Sequence, residues 1–167
     1  MKKNIFFYSQ VKTYKRFFVN KKVVLVGGCF EIIHYGHFKF LEKAKKEGDF
    51  LIVALESDEF ISKKKLRKPI HNQDQRAEML SNLKSVDLII KLPYFSQDDD
   101  YFNLVKLIKP TVIAVTKGDP QIKNKKKQAK SIKAKVKIVV PLFKNFSTTK
   151  IVDSFFKNEI IFSNRVT

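Results

Sequence analysis

Two histidines separated by a tyrosine and a glycine, His34-Tyr35-Gly36-His37, follow closely on Gly27-Gly28-Cys29-Phe30. A β-branched run over residues 23–26 precedes the glycines, and the apolar residues of 38–46 recur at helical spacing, so the pattern predicts a strand, a tight turn and a helix. The histidines then stand where that helix begins. A helix N-terminus leaves backbone N–H groups unpaired and carries the positive end of the helix dipole, which suits a phosphate. Imidazoles three residues apart at that end lie on neighbouring faces of one turn, and both can donate to oxygens of one triphosphate. Groups so placed stabilise the charge of an in-line phosphoryl transfer without a covalent enzyme intermediate. The competing use of this spacing is a metal site. No clustered cysteine or third histidine at ligand spacing accompanies the pair, and no protein ligand to a metal is assigned.

The elements that must position these residues alternate along the chain. Strands are predicted at residues 22–26, 50–55, 87–90, 111–115 and 136–140, with helices at 38–46, 73–83, 99–108 and 121–131. Right-handed crossovers turn such an alternation into a parallel sheet covered on both faces. The expected fold is α/β, a Rossmann-like doubly wound five-stranded parallel sheet with its ligand at the C-terminal edge of the strands. Residues 1–20 read as an N-terminal arm, 21–160 as a single domain and 161–167 as a C-terminal tail. The arm's apolar islands, 5–8 and 17–19, are interrupted by Lys12, Lys15 and Arg16. They suit a short helix packed on the domain or on a partner subunit, and are too short for a signal peptide or a membrane span.

The 167 residues, 44% of them hydrophobic, suit one domain with a real core and leave no room for a second catalytic domain. Cys29 is the only cysteine, so no intrachain disulfide forms and a reducing cytoplasm is the expected location. The net charge of +18 raises the possibility of nucleic acid as a partner. Only four arginines, Arg16, Arg67, Arg76 and Arg165, stand among the 34 basic residues, whereas base readout leans on arginine. The densest lysine run, 123–130, falls on a predicted helix, where a solvated face is the ordinary reading. Nucleic acid is therefore not expected as the principal partner, although the field would draw in anionic nucleotides.

Residues 28–37, Gly-Cys-Phe-Glu-Ile-Ile-His-Tyr-Gly-His, resemble the G-x-F-D-x-x-H-x-G-H signature of the cytidylyltransferase-like nucleotidyltransferases. Three further segments resemble that family in order and spacing: residues 48–59 with their Ser-Asp-Glu end, Arg67-Lys68-Pro69 followed by residues 75–80, and Phe146-Ser147-Thr148-Thr149-Lys150-Ile151-Val152. The resemblance covers residues 21–157 and is nearest to the adenylyltransferase domain of ADP-heptose synthases and to glycerol-3-phosphate cytidylyltransferases. It implies transfer of AMP or CMP from ATP or CTP to a phosphorylated small molecule, with pyrophosphate released and Mg²⁺ held mainly by the nucleotide phosphates. It also implies a homodimer and, together with the alternation of strands and helices, the strand order 3-2-1-4-5.

By the same resemblance, His34, His37, Lys65 and Arg76 are catalytic. Gly28, Cys29, Phe30, Gly36, Asp119, Ser147, Thr148 and Thr149 bind the nucleotide, and Glu31 and Lys64 face the acceptor. Each assignment has a plainer counterpart. Gly118-Asp119-Pro120 is equally a turn with Asp119 as N-cap, Ser147 is equally an N-cap, and Arg76 equally a member of a helix-surface ion pair. Lys63, Lys64, Lys65, Arg67 and Lys68 are expected to form a basic loop in which not every charge has a specific partner. Glu31 departs from the family's aspartate and carries its carboxylate one methylene further, which bears on acceptor choice or turnover. Class I aminoacyl-tRNA synthetases share the H-x-G-H pattern, but this sequence lacks their length and their lysine-rich loop. A noncatalytic nucleotide- or RNA-binding module is the remaining alternative.

Overall fold

A computed structural model of the chain describes residues 4–141. The Ser147-Thr148-Thr149 motif and the tail 161–167 lie outside the described residues. Six parallel strands form one sheet: β1 (Ile5–Phe7), β2 (Val23–Gly28), β3 (Phe50–Leu55), β4 (Leu88–Lys91), β5 (Val112–Thr116) and β6 (Lys135–Val140). Their order is β1-β4-β3-β2-β5-β6. Within it the five expected strands keep the order 3-2-1-4-5, and the count is corrected to six by the arm. Ile5 pairs with Ile89 and Phe7 with Lys91, so the arm closes the edge of β4 that would otherwise be open for pairing.

The runs Val-Val-Leu-Val, Phe-Leu-Ile-Val-Ala-Leu and Val-Ile-Ala-Val are buried on both faces, as parallel strands under two helical layers must be. Alternate residues serve opposite cores. Val24, Val26, Leu51 and Val53 pack with Phe40, Leu41 and Ala44 of α2 (Tyr35–Lys45) and with Ala77 and Leu80 of α4 (Gln73–Ser81). Leu25, Ile52, Ala54 and Ile113 pack on the other face with Leu104 and Val105 of α5 (Asp98–Ile108) and Ala129 of α6 (Ile122–Ser131). The edge strand β6 instead alternates Lys135 and Lys137 with apolar residues, a pattern that discourages further pairing.

From the arm, β1 sends Phe6, and α1 (Val11–Tyr14) and the segment after it send Val11 and Phe18, into the α5 core. Gly27 and Gly28, expected in a turn, continue β2 opposite Ala54 and Leu55. The chain turns two residues later, where Phe30 adopts a left-handed φ of 44°. The expected basic loop is largely a helix, α3 (Asp58–Lys65). Ser57 Oγ accepts from the Phe60 N–H at 3.1 Å, Asp58 and Glu59 occupy its first turn and Lys63 to Lys65 its last, the charge order that complements a helix dipole.

Candidate functional site

The chain leaves β2 in one direction through β3 and β4 and later returns to its other side through β5, so the sheet's switch point lies between β2 and β5. Crevices at such points open at the strands' C-terminal edge. The histidine pair flanks this edge. His34 is the N-cap of α2, and its Nδ1 accepts from the His37 N–H at 3.3 Å. That bond places the proton of a neutral His34 on Nε2, a ready donor. His37 Nδ1 lies 3.1 Å from the Ile32 carbonyl oxygen and must donate to it, leaving a lone pair on Nε2 of the neutral ring.

The two rings stack with centroids 3.8 Å apart, and Phe30 lies 5.0 Å from His37. Burial, the neighbouring His34 and Lys65 push the His37 pKa down to about 4, against the Ile32 hydrogen bond. Burial also lowers that of His34. The expectation that both rings donate to a triphosphate therefore resolves into one preset donor, His34 Nε2–H, and one ring, His37, whose Nε2 donates only once it is protonated.

Beneath Gly28 and Cys29, on the face of α5 and α6, lies a cavity of about 500 Å³. Leu25, Ala54, Ile113, Leu104 and Val105 make an apolar floor, and Lys64 and Asp119 stand among its lining residues. Its most unusual wall residue is Glu56, which sequence reasoning did not single out. Glu56 follows β3, its N–H reaches the Gly28 carbonyl at 3.1 Å, and it is 7% exposed. Tyr101 donates its hydroxyl to Glu56 Oε1 at 3.0 Å. Burial, partly offset by Tyr101, Lys125 and Arg76, pushes the Glu56 pKa up to about 7. The available signal was a carboxylate one residue beyond the C-terminal end of a parallel strand.

Asp119 lies in the expected turn and faces the cavity, but it is not the expected N-cap: Gln121 holds that position at the start of α6, and Asp119 closes the turn before it. Its Oδ1 accepts from the Gln121 N–H at 2.8 Å and its Oδ2 from Lys125 Nζ at 2.7 Å. The Cys29 thiol, raised chiefly by burial, senses Lys65, Glu56, Arg76 and Glu31 around it.

Arg76 is fully buried. Its Nε donates to the His71 carbonyl at 3.1 Å, Nη1 to the Cys29 carbonyl at 2.5 Å and Nη2 to Asp58 Oδ1 at 2.7 Å. It thereby ties α4, α3 and the turn after β2 together, and is neither a surface ion pair nor an open cleft charge.

Glu31, 1% exposed, accepts from Nη1 and Nη2 of Arg67, with Nη2 at 2.6 Å from Oε2, and from the Ile70 N–H at 3.1 Å. Lys65 Nζ stands 3.6 Å away. Burial raises the carboxyl's pKa, but the Arg67 and Ile70 hydrogen bonds with the charges of Arg67 and Lys65 outweigh it and hold it below the ordinary value. Gly36 is buried in the first turn of α2. No three His, Cys, Asp or Glu side chains converge among the described residues, and no helix among them is long and apolar enough to cross a membrane.

Residues 25–162 match the family model described as cytidylyltransferase-like. A bifunctional protein HldE of Aliarcobacter butzleri is 45% identical over 102 residues, which are 60% of this chain and 20% of that protein. One of Campylobacter jejuni subsp. doylei is 37% identical over 135 residues, 80% of this chain and 28% of that protein. The chain thus spans less than a third of these curated relatives. Among solved structures, a lipopolysaccharide core biosynthesis protein of Thermoplasma volcanium superposes with a TM-score of 0.59 at 28% identity, covering 73% of this chain and 96% of that one. The pantoate-beta-alanine ligase of Francisella tularensis, at 0.60 and 18% identity over 88% of this chain and 75% of its own, shares the fold.

Proposed function

The chain belongs to the cytidylyltransferase-like family of nucleotidyltransferases, and from that premise we propose that it transfers AMP from ATP to a sugar phosphate of the heptose 1-phosphate type, releasing pyrophosphate. The observation that carries this reading is the stacked His34–His37 pair at the N-terminus of α2, beside the end of β2 that roofs the cavity. The cavity's size falls within the range of about 300–1,000 Å³ usual for small-molecule sites. Similarity to the HldE proteins supports ATP over CTP and a heptose phosphate over glycerol 3-phosphate.

In this mechanism an oxygen of the acceptor's phosphate attacks the α-phosphorus, the bond from that phosphorus to the bridging oxygen breaks, and pyrophosphate leaves with the electron pair. No protein nucleophile is needed. His34 Nε2–H donates to the α-phosphate oxygens, and the positive end of the α2 dipole draws their charge. Phosphate charge arriving at His37 Nε2 raises that ring's proton affinity and makes it a second donor. Lys65 and Lys64, at the end of α3, neutralise incoming phosphates. Arg76 acts as a positioning residue by fixing the Cys29 carbonyl, while Ser147, Thr148 and Thr149 hold the leaving pyrophosphate. No three His, Cys, Asp or Glu side chains converge among the described residues, a donor set that fits a Mg²⁺ arriving on the nucleotide, where it would spread phosphate charge.

The test is pyrophosphate release with Mg²⁺, ATP or CTP, and heptose 1-phosphate or glycerol 3-phosphate. Turnover is expected with ATP and heptose 1-phosphate, and His37→Ala should lower it by about 10²–10³-fold. Preference for CTP would refute the nucleotide assignment. Nucleotide binding without turnover on any acceptor would favour a noncatalytic module.

A further inference from the structure

Glu56 presents the one buried side-chain polar atom among the described residues that has no hydrogen-bond partner in the protein, its Oε2. The other oxygen is occupied by Tyr101, and the residue lines the cavity. An unpaired oxygen on a buried carboxylate is costly, and folding alone gives no reason to keep one. Period-2 alternation along β3 accounts for where it points. Leu55 joins the α2 core, whereas Ala54 and Glu56 both line the cavity on the opposite face.

The remaining charges around the cavity do not complete it. Lys125 is engaged by Asp119, each nitrogen of Arg76 donates away from the cavity, to His71, Cys29 and Asp58, and Lys64 is an exposed lining residue at the end of α3. We propose that Glu56, held by Tyr101, is the specificity-determining residue for the acceptor: its free oxygen pairs with a hydroxyl on the non-phosphorylated part of a polyol phosphate lying in the cavity.

Three properties of the site favour a hydroxyl over other groups. A hydroxyl can donate to an ionised carboxylate and accept from a protonated one, which matters for a group that titrates near neutrality. An ammonium would pair only with the ionised form and would enter a molecule of net charge +18. A purely apolar group would leave Oε2 unpaired. The apolar floor meanwhile accepts the carbon faces of such a molecule, as in other small-molecule sites.

This inference rests on the adenylyltransferase reading, so the experiment separates the two. Pyrophosphate release is measured for wild type, Glu56→Leu and Glu56→Gln with heptose 1-phosphate, a set of its monodeoxy analogues, and phosphoethanolamine. Thermal unfolding verifies that each variant is folded. Glu56→Leu should raise the acceptor KM about tenfold, the worth of one hydrogen bond to a charged group, with the KM for ATP within about twofold. Glu56→Gln, which keeps an acceptor for Tyr101 and a polar group toward the cavity, should fall between. One monodeoxy analogue should bind wild type as poorly as Glu56→Leu binds the full acceptor, with no further loss in the variant.

An unchanged acceptor KM in Glu56→Leu, equal losses for ATP and acceptor, or a preference for phosphoethanolamine would overturn the inference while the adenylyltransferase reading stands. If wild type turns over nothing, calorimetry with heptose 1-phosphate alone decides. Binding that Glu56→Leu weakens about tenfold sustains the hydroxyl contact without the reaction, binding that it leaves unchanged overturns the contact, and no binding to wild type overturns both.

Discussion

Replacing Arg67 with alanine isolates a buried carboxylate, whereas replacing that carboxylate leaves a cation that water can reach. The Glu31 side chain is fully buried and that of Arg67 is 30% exposed. After Arg67→Ala, Glu31 keeps only the Ile70 N–H at 3.1 Å and the Lys65 ammonium at 3.6 Å. Removing one partner of a buried ion pair costs about 3–5 kcal/mol when the survivor is uncompensated, and these two contacts place Arg67→Ala at the lower end, about 3 kcal/mol. Glu31→Gln retains an acceptor for Ile70 and exposes Arg67 to solvent, for about 1 kcal/mol. The double variant should lie close to Glu31→Gln, because the cost of an unpaired carboxylate disappears with the carboxylate.

Urea unfolding at pH 7 measures all three differences. Acid provides a second check. The pKa of Glu31 in the folded protein lies below its ordinary value of 4.5, so its contribution is present above that pH and is lost as pH falls through the lowered folded value. The gap between wild type and Arg67→Ala should therefore be full at pH 7 and shrink below about pH 4.5. Equal costs for Arg67→Ala and Glu31→Gln, or a gap unmoved by acid, would refute the asymmetry.

Glu56 has the opposite sign. Its folded pKa is raised from 4.5 to about 7, so the neutral form's advantage is complete below pH 4.5 and is lost as pH rises through 7. Glu56→Gln should thus gain on wild type by up to about 3 kcal/mol between pH 4.5 and 8, read by thermal unfolding across that range; no gain at pH 8 counts against the buried carboxyl. Gly48→Ala should destabilise by at least about 2 kcal/mol, because a Cβ there would collide with the Lys22 carbonyl oxygen and meet Val24 Cγ2 at 2.8 Å; a midpoint in urea within error of wild type would refute it. Glu31→Asp withdraws the carboxylate by about 1.5 Å and should cost about 1–2 kcal/mol through the Arg67 and Ile70 bonds, again measured in urea; a stabilised variant would contradict the observed fit.

What the sequence made legible follows the range of the interactions. The alternation of five strands could be read because each is a short apolar, largely β-branched run and each crossover contains a periodic helix, whereas their order rested partly on the family resemblance. The histidine geometry could be read because His34 and His37 are three apart on one turn. Edge strand β1 was hidden by its length, three residues, and by a partner, β4, that lies more than 80 positions away, as Ile5↔Ile89 shows. The helical character of Asp58–Lys65 was hidden behind its lysines, although Ser57, the early acidic pair and the late basic run are a helix's own end signals. Glu31 with Arg67 and Glu56 with Tyr101 are separated by 36 and 45 residues. No local pattern encodes either pairing.

Arg76 illustrates why residue type alone left its role open. An arginine in a helix patterned for burial suggests either a cleft charge or a surface ion pair, and both presume that the guanidinium reaches water. Instead its three partners belong to three different segments, and only Asp58 carries charge. Complete burial is affordable because each engaged nitrogen donates to an oxygen and one of those oxygens is anionic. The Cys29 carbonyl it grips lies between Gly28, which roofs the cavity, and Phe30, whose ring adjoins His37. A fully buried cation thus fixes the junction between the histidines on one side of β2 and Glu56 on the other, so the relative placement of the two halves of the site depends on a residue that faces neither of them.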